Sequence, residues 1–189
     1  MTATGAGSTS GDRLLALLTE RSYAKREVTL ASGKKSDFFI DCKQTVLSAE
    51  GHALVGARML DALAAFGEVD AVAGVELGGC PLASAVALVS FQRGTPLDAV
   101  YVRKEAKDHG SQRLLEGDTR LAKGARLVIL EDVITTGGST KKCVEKLRAA
   151  GYEVAGVVAL VDRDEGGRQN LEAVGLKVEA VFTRGDFPR

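Results

Sequence analysis

Two adjacent carboxylates, Glu131 and Asp132, stand directly before a turn of small hydroxyl and glycine residues, and that order limits the chemistry available to the chain. Val133 and Ile134 lead into the turn, which runs through Thr135, Thr136, Gly137, Gly138 and Ser139. Hydroxyls and backbone N–H groups gathered at the start of a helix hold a phosphate. The helix's orphan amides and the positive end of its dipole point at the anion, and glycine lets the backbone come close. Carboxylates accept hydrogen bonds from vicinal sugar hydroxyls, so acids placed just before a phosphate cradle suit a sugar phosphate. Neither the dinucleotide pattern G-x-G-x-x-G nor the ATP-loop pattern G-x-x-x-x-G-K-[ST] occurs. Taken alone, either acid also suits a plain cap or turn former.

The hydrophobic pattern supplies the elements that position this turn. Leu127 to Leu130 is a short continuous apolar run, predicting a strand buried on both faces, and a helix from Ser139 to Ala150 follows. Similar runs at Ala71–Val75, Asp98–Val102, Val154–Val161 and Val178–Phe182 alternate with helical stretches. The pattern predicts an α/β fold: a doubly wound, mainly parallel five-stranded sheet, whose ligands bind at the carboxyl ends of the strands. Ser48 is placed to cap a helix through Phe66, with Leu54, Ala57, Leu60 and Ala64 at core spacing and His52 structural. The stretch GVELGGCPLA, with Gly78, Gly79 and Pro81, is a second amide-rich turn. It suits an ordinary strand-to-helix loop or a pyrophosphate site.

Three further groups of residues bear on chemistry. Val28–Leu30 and Phe38–Asp41 predict a hairpin outside the β/α alternation, a hood over about residues 26–45 that presents Lys34, Lys35, Phe38 and Phe39. These residues suit an edge ribbon with solvated lysines, or a hood offering an aromatic face and a cation to a flat anionic base. Arg103, Lys104, Lys107 and His109 gather in a loop to Glu116 that lacks clear periodicity. Such a loop is a solvated charge run or a lid. Arg163, just beyond the strand ending at Val161, reaches the same sheet edge as Asp132, where a guanidinium can grip a planar carboxylate. Asp162, Asp164 and Glu165 suit the shaping of that turn.

Composition narrows the class. The chain has 189 residues and 45% apolar content, predicting one domain over residues 12–189 with its core at about 48–182, behind a disordered tail of residues 1–11. That tail has no basic start or apolar stretch, so no signal peptide is expected. Lys plus Arg and Asp plus Glu are both 25, which gives no net field for a nucleic acid or a membrane. Cys42, Cys80 and Cys143 are odd in number and lie far apart, pointing to a reducing cytoplasm rather than disulfides or zinc.

The segment from Leu127 to Thr140 resembles the phosphoribosyl pyrophosphate (PRPP) signature of type I phosphoribosyltransferases. SGKKSDFFID, VRKEAKDHG, EDVITTGGST and VDRDEGG occur in the order seen in orotate phosphoribosyltransferases, and nearly the whole chain is similar to that family. The resemblance implies conversion of orotate and PRPP to orotidine 5′-phosphate and pyrophosphate in pyrimidine biosynthesis, by a cytoplasmic homodimer with shared active sites. It assigns Arg103, Lys104, Lys107 and His109 to the pyrophosphate side, Glu131 to Ser139 to the ribose phosphate, and Thr135 and Arg163 to orotate, with Phe38, Phe39 and Lys35 in the hood. Lys107, Asp132 and Glu131 would be catalytic. Mg²⁺ is implied as cofactor, held mainly by substrate oxygens and water rather than by a protein cage. The chain departs from many members in having Ala31 before the SG of the hairpin and ELGG in the pyrophosphate turn, where those members carry lysines. A purine-specific phosphoribosyltransferase would share the central motif without the RKEAKDHG loop. A PRPP-sensing regulator would need a basic DNA-binding appendage.

Overall fold

The computed structural model describes residues 10–29, 35–105 and 113–188. Helix α1 (Ser10–Arg21) begins two residues before the expected Asp12 and buries Leu14, Leu17 and Leu18 completely. Strands β1 (Tyr23–Thr29) and β2 (Lys35–Ile40) pair antiparallel as a sheet of their own, a hairpin as expected, but β1 begins five residues before Val28 and β2 three before Phe38. A single turn, α2 (Lys43–Val46), leads to α3 (Ala49–Leu63), whose N-terminus is capped by Ser48 Oγ accepting from Gly51 N at 3.2 Å. The buried stripe of α3 is Gly51, Val55, Gly56, Met59 and Leu63. The expected stripe is therefore rotated: Leu54 and Leu60 only flank the core and Ala64 is exposed. Two glycines explain the shift, since periodicity counts apolar side chains while glycine marks where backbones come closest.

The remaining elements are β3 (Ala71–Val75), α4 (Gly79–Gln92), β4 (Asp98–Val102), β5 (Leu115–Glu116), β6 (Arg126–Ile134), α5 (Gly138–Ala149), β7 (Glu153–Asp162), α6 (Gly167–Glu172) and β8 (Lys177–Thr183). The main sheet has six strands in the order β5-β4-β3-β6-β7-β8, not five. The five expected strands are all parallel, and the extra one, β5, is a two-residue antiparallel edge strand on β4. It is too short to leave a hydrophobic period. In the apolar run of β6, Leu127 and Ile129 join the core under α5 and α6. Val128 and Leu130 join the core under α1, α3 and α4. Burial on both faces explains why the run does not alternate, and each such side chain is worth about 1.5–3 kcal/mol.

From β3 the chain winds outward through β4 and β5, then returns to β6 beside β3 and winds the other way. The strand order reverses between β3 and β6, so the loops at their carboxyl ends diverge and leave a crevice there. Among the described residues, no helix is long and apolar enough to cross a membrane.

Candidate active site

The crevice is bounded by the turn after β3 and the turn after β6. Glu131 and Asp132, neighbours on β6, point to opposite faces of the sheet as strand geometry requires. Asp132 is half-buried against the β3–α4 turn: a Cβ on Gly78 would overlap Asp132 Oδ2, so only glycine leaves room for the carboxylate. The Glu76–Leu77 peptide in that turn is cis. Burial raises the Asp132 carboxyl above its ordinary range, and the Lys43 charge opposes this most. Glu131, 4% exposed, turns toward α5, where its Oε1 accepts from Ser139 Oγ at 3.1 Å and Thr140 Oγ1 at 3.0 Å. Burial, and then the Asp132 charge, push its carboxyl up to about 7.

The turn after β6 is shaped by Gly137, which adopts φ 79° as N-cap of α5. A Cβ there would also meet Leu171 at 3.0 Å, so both conformation and packing call for glycine. The helix starts at Gly138 rather than Ser139. Thr135 is half-buried, while Thr136, Gly138 and Ser139 are exposed at the mouth. Val133 packs against the core and its N–H donates to Asp132 Oδ1 at 2.9 Å. Ile134 ends β6, and its side chain, 1% exposed, belongs to the core.

On the α5 side, Arg103 and Lys104 join Ser139 around a cavity of about 370 Å³ that Lys142 and Lys146 also line. Lys146 Nζ donates to the carbonyls of both Arg103 and Lys104 at 2.7 Å, and Lys104 N donates to Glu76 Oε2 at 2.8 Å. The basic loop is thus anchored where it leaves β4. Lys107 and His109 lie outside the described residues, as do Ala31 and Lys34. Lys142 and Lys146 were missed because they read as an ordinary solvated helix face.

The hood corrects part of the reading. Phe38 is buried between Tyr23 and Phe187, with ring centroids at 5.2 and 5.5 Å, so it is core and not a stacking face. Strand alternation puts Phe39 on the other side, half-buried, with the Arg26 guanidinium 3.7 Å from its ring centroid. Lys35 stands on the exposed surface, where its Nζ pairs with Glu27 at 2.7 Å, a contact that solvent exposure keeps weak. Arg163 arrives at the end of β7 as expected, but its Nη2 donates to Phe38 O at 2.7 Å and Ser36 Oγ at 3.1 Å and pairs with Glu165 at 3.0 Å. It fastens the hood to the sheet. Its buried Nε has no partner among the described residues, nor has Glu165 Oε2. Asp162 does shape its turn, accepting from Asp164 N and pairing with Arg168.

Lys43 was also missed; it follows the hood at the start of α2, with Nζ 2.6 Å from Asp41 Oδ1. The three cysteines are free and buried, and burial pushes their thiols upward, Cys80 to about 11, so none is a ready nucleophile. Among the described residues no cluster of three metal-ligating side chains occurs. One half-buried carboxylate at a strand end fits a hydrated divalent cation carried in by a polyphosphate.

The profile of the phosphoribosyl transferase domain matches residues 52–182. An orotate phosphoribosyltransferase of Sorangium cellulosum is 65% identical over 182 residues, covering 96% of this chain and 95% of that protein. The crystal structure of the Mycobacterium tuberculosis orotate phosphoribosyltransferase in complex with PRPP aligns with a TM-score of 0.77 at 32% identity, over 94% of this chain and 98% of that one. An adenine phosphoribosyltransferase of Thermoanaerobacter pseudethanolicus aligns at 0.62 with 19% identity, over 89% and 99%, a likeness of fold alone. With the crevice at the strand reversal and the phosphate turn beside it, these similarities show that the chain belongs to the orotate phosphoribosyltransferase family.

Proposed function

We propose that the chain transfers the 5-phosphoribosyl group of PRPP to orotate, giving orotidine 5′-phosphate and pyrophosphate for pyrimidine nucleotide synthesis. The observation that carries the reading is the packing of Asp132 against Gly78, which sets an acid between the two amide-rich turns of the crevice. Thr135 to Ser139 hold the 5′-phosphate, and Asp132 lies beside the ribose. As pyrophosphate departs, C1 of the sugar gains positive charge and the ring nitrogen of orotate captures it. The Asp132 carboxylate favours the growing cation, while Arg103, Lys104, Lys107 and His109 favour the leaving anion, each preorganised contact worth about 3 kcal/mol. Glu131 completes the ribose contacts if its carboxylate leaves Ser139 and Thr140. Arg163, through its free Nε, and Phe39 receive orotate. Mg²⁺, when bound, neutralises pyrophosphate oxygens.

The assembly proposed is a homodimer in which the loop carrying Lys107 reaches the partner's site. Leu88 and Phe91, one turn apart on α4 and 54% and 73% exposed, support a self-association face. A cytoplasmic setting is supported by three unpaired thiols. The test is base selectivity: with PRPP and Mg²⁺, pyrophosphate should be released with orotate and not with adenine or hypoxanthine. Release with a purine alone would replace this reading by a purine transferase.

A further inference from the structure

The crevice is rich in acids for a site that takes a polyanion. Asp132 is held from two sides: Gly78 meets its carboxylate, and Cys42 Sγ lies 3.7 Å from its carbonyl oxygen. Cys42 is fully buried, so the start of α2 is fixed against the end of β6. The next residue is Lys43. Its Nζ pairs with Asp41, and Asp41 is itself fixed, accepting from Lys43 N at 3.3 Å and Gln44 Nε2 at 3.1 Å. The Asp41 charge acts on Asp132, and Glu76 stands in the turn after β3 that Asp132 packs against. A pyrophosphate bearing several negative charges enters the crevice only beside cations. Lys104 donates to Glu76 through its backbone N–H, and its charge acts on Glu131. On the hood side, Lys43 is a cation whose charge acts on Asp132.

The Lys43–Asp41 pair does not account for Lys43 as a purely structural residue. Its partners are 38% and 27% exposed, and solvent screening keeps a pair at such exposure weak. Such a lysine exchanges one anionic partner for another at little cost. From its place between Asp41 and the end of β6, we propose that Lys43 is a further PRPP-binding residue, which leaves Asp41 for the pyrophosphate oxygens when substrate arrives. The inference rests on the phosphoribosyl-transfer reading. It gives the crevice a cation on the side opposite the basic loop, supplied by a residue that the motifs do not contain.

Calorimetric titration of the full chain with PRPP, with inorganic pyrophosphate and with ribose 5-phosphate tests it. Losing one charge-assisted contact should weaken PRPP and pyrophosphate binding by roughly tenfold or more in Lys43→Ala and in Lys43→Gln. Ribose 5-phosphate, which has no pyrophosphate, should change by less than about twofold, and Lys43→Arg should stay within about threefold of the wild type. Asp41→Asn, which keeps the acceptor for Lys43 N but removes the competing charge, should bind PRPP as tightly or more tightly. Unchanged pyrophosphate binding in Lys43→Ala, equal losses for all three ligands, or Asp41→Asn weakening PRPP as much as Lys43→Ala would overturn the assignment. Wild type that fails to bind PRPP would overturn the phosphoribosyl-transfer reading itself. Wild type that binds, with variants that bind equally well, would remove Lys43 alone.

Discussion

The buried carboxylate of Glu131 accepts a hydrogen bond from the Thr140 hydroxyl at 3.0 Å, tying the end of β6 to the first turn of α5. With its carboxyl raised from an ordinary 4.5 to about 7, Glu131 binds its proton more tightly folded than unfolded. Its contribution to stability is therefore full below about pH 4.5 and lost as pH rises through about 7. Wild type should lose up to about 3 kcal/mol across that window, since each tenfold difference in proton affinity is about 1.4 kcal/mol. Asp132, also raised, acts in the same sense. Glu131→Gln should flatten the curve of thermal midpoint against pH between 5 and 7.5; parallel curves would contradict the burial account.

Asp132→Asn should lower turnover roughly a hundredfold while PRPP affinity changes little, because the charge matters most when the sugar becomes cationic. Gly78→Ala should do the same without touching the acid, since its Cβ would displace Oδ2. Steady-state kinetics beside a PRPP titration separates the two effects. Turnover unchanged in both variants would remove Asp132 from the chemistry.

Arg163→Ala should act twice. It takes from the half-buried Glu165 its ion-pair partner and from Phe38 O and Ser36 Oγ their donor, costing roughly 1–3 kcal/mol, and it removes the guanidinium proposed to meet orotate, raising KM for orotate more than for PRPP. Adding Glu165→Ala should restore much of the thermal midpoint and none of the orotate affinity. Recovery of both would make Arg163 a fastener of the hood and nothing more.

What the sequence disclosed and what it hid divide along physical lines. The strand Leu127–Leu130, the turn Thr135–Ser139 and the strand-to-helix order depend on local patterns, and each lies where its pattern put it. Opposed facing of Glu131 and Asp132, and of Phe38 and Phe39, follows from a period of two, but that Phe38 is the buried ring depends on packing against Tyr23 and Phe187. Lys43 carried no signal, since what sets it near Asp132 is Cys42 touching a strand 90 residues away. The edge strand β5 is defined by its partner Tyr101–Val102 rather than by its own two residues.

A shared site predicts rescue between damaged chains. If the loop of one protomer serves the other, Lys107→Ala and Asp132→Ala chains are each inactive alone. After random exchange about half the dimers are mixed, each with one intact site, so activity should return to roughly a quarter of wild type. No recovery, with exchange confirmed by mass-labelled subunits, would place Lys107 in its own chain's site.

The most direct measurement is the ultraviolet absorbance of orotate on mixing with this protein, PRPP and Mg²⁺. The absorbance should fall as orotidine 5′-phosphate forms, with one pyrophosphate released per orotate consumed, and it should hold steady when PRPP is left out. A steady absorbance in the complete mixture, with the protein folded and PRPP bound, would contradict phosphoribosyl transfer to orotate.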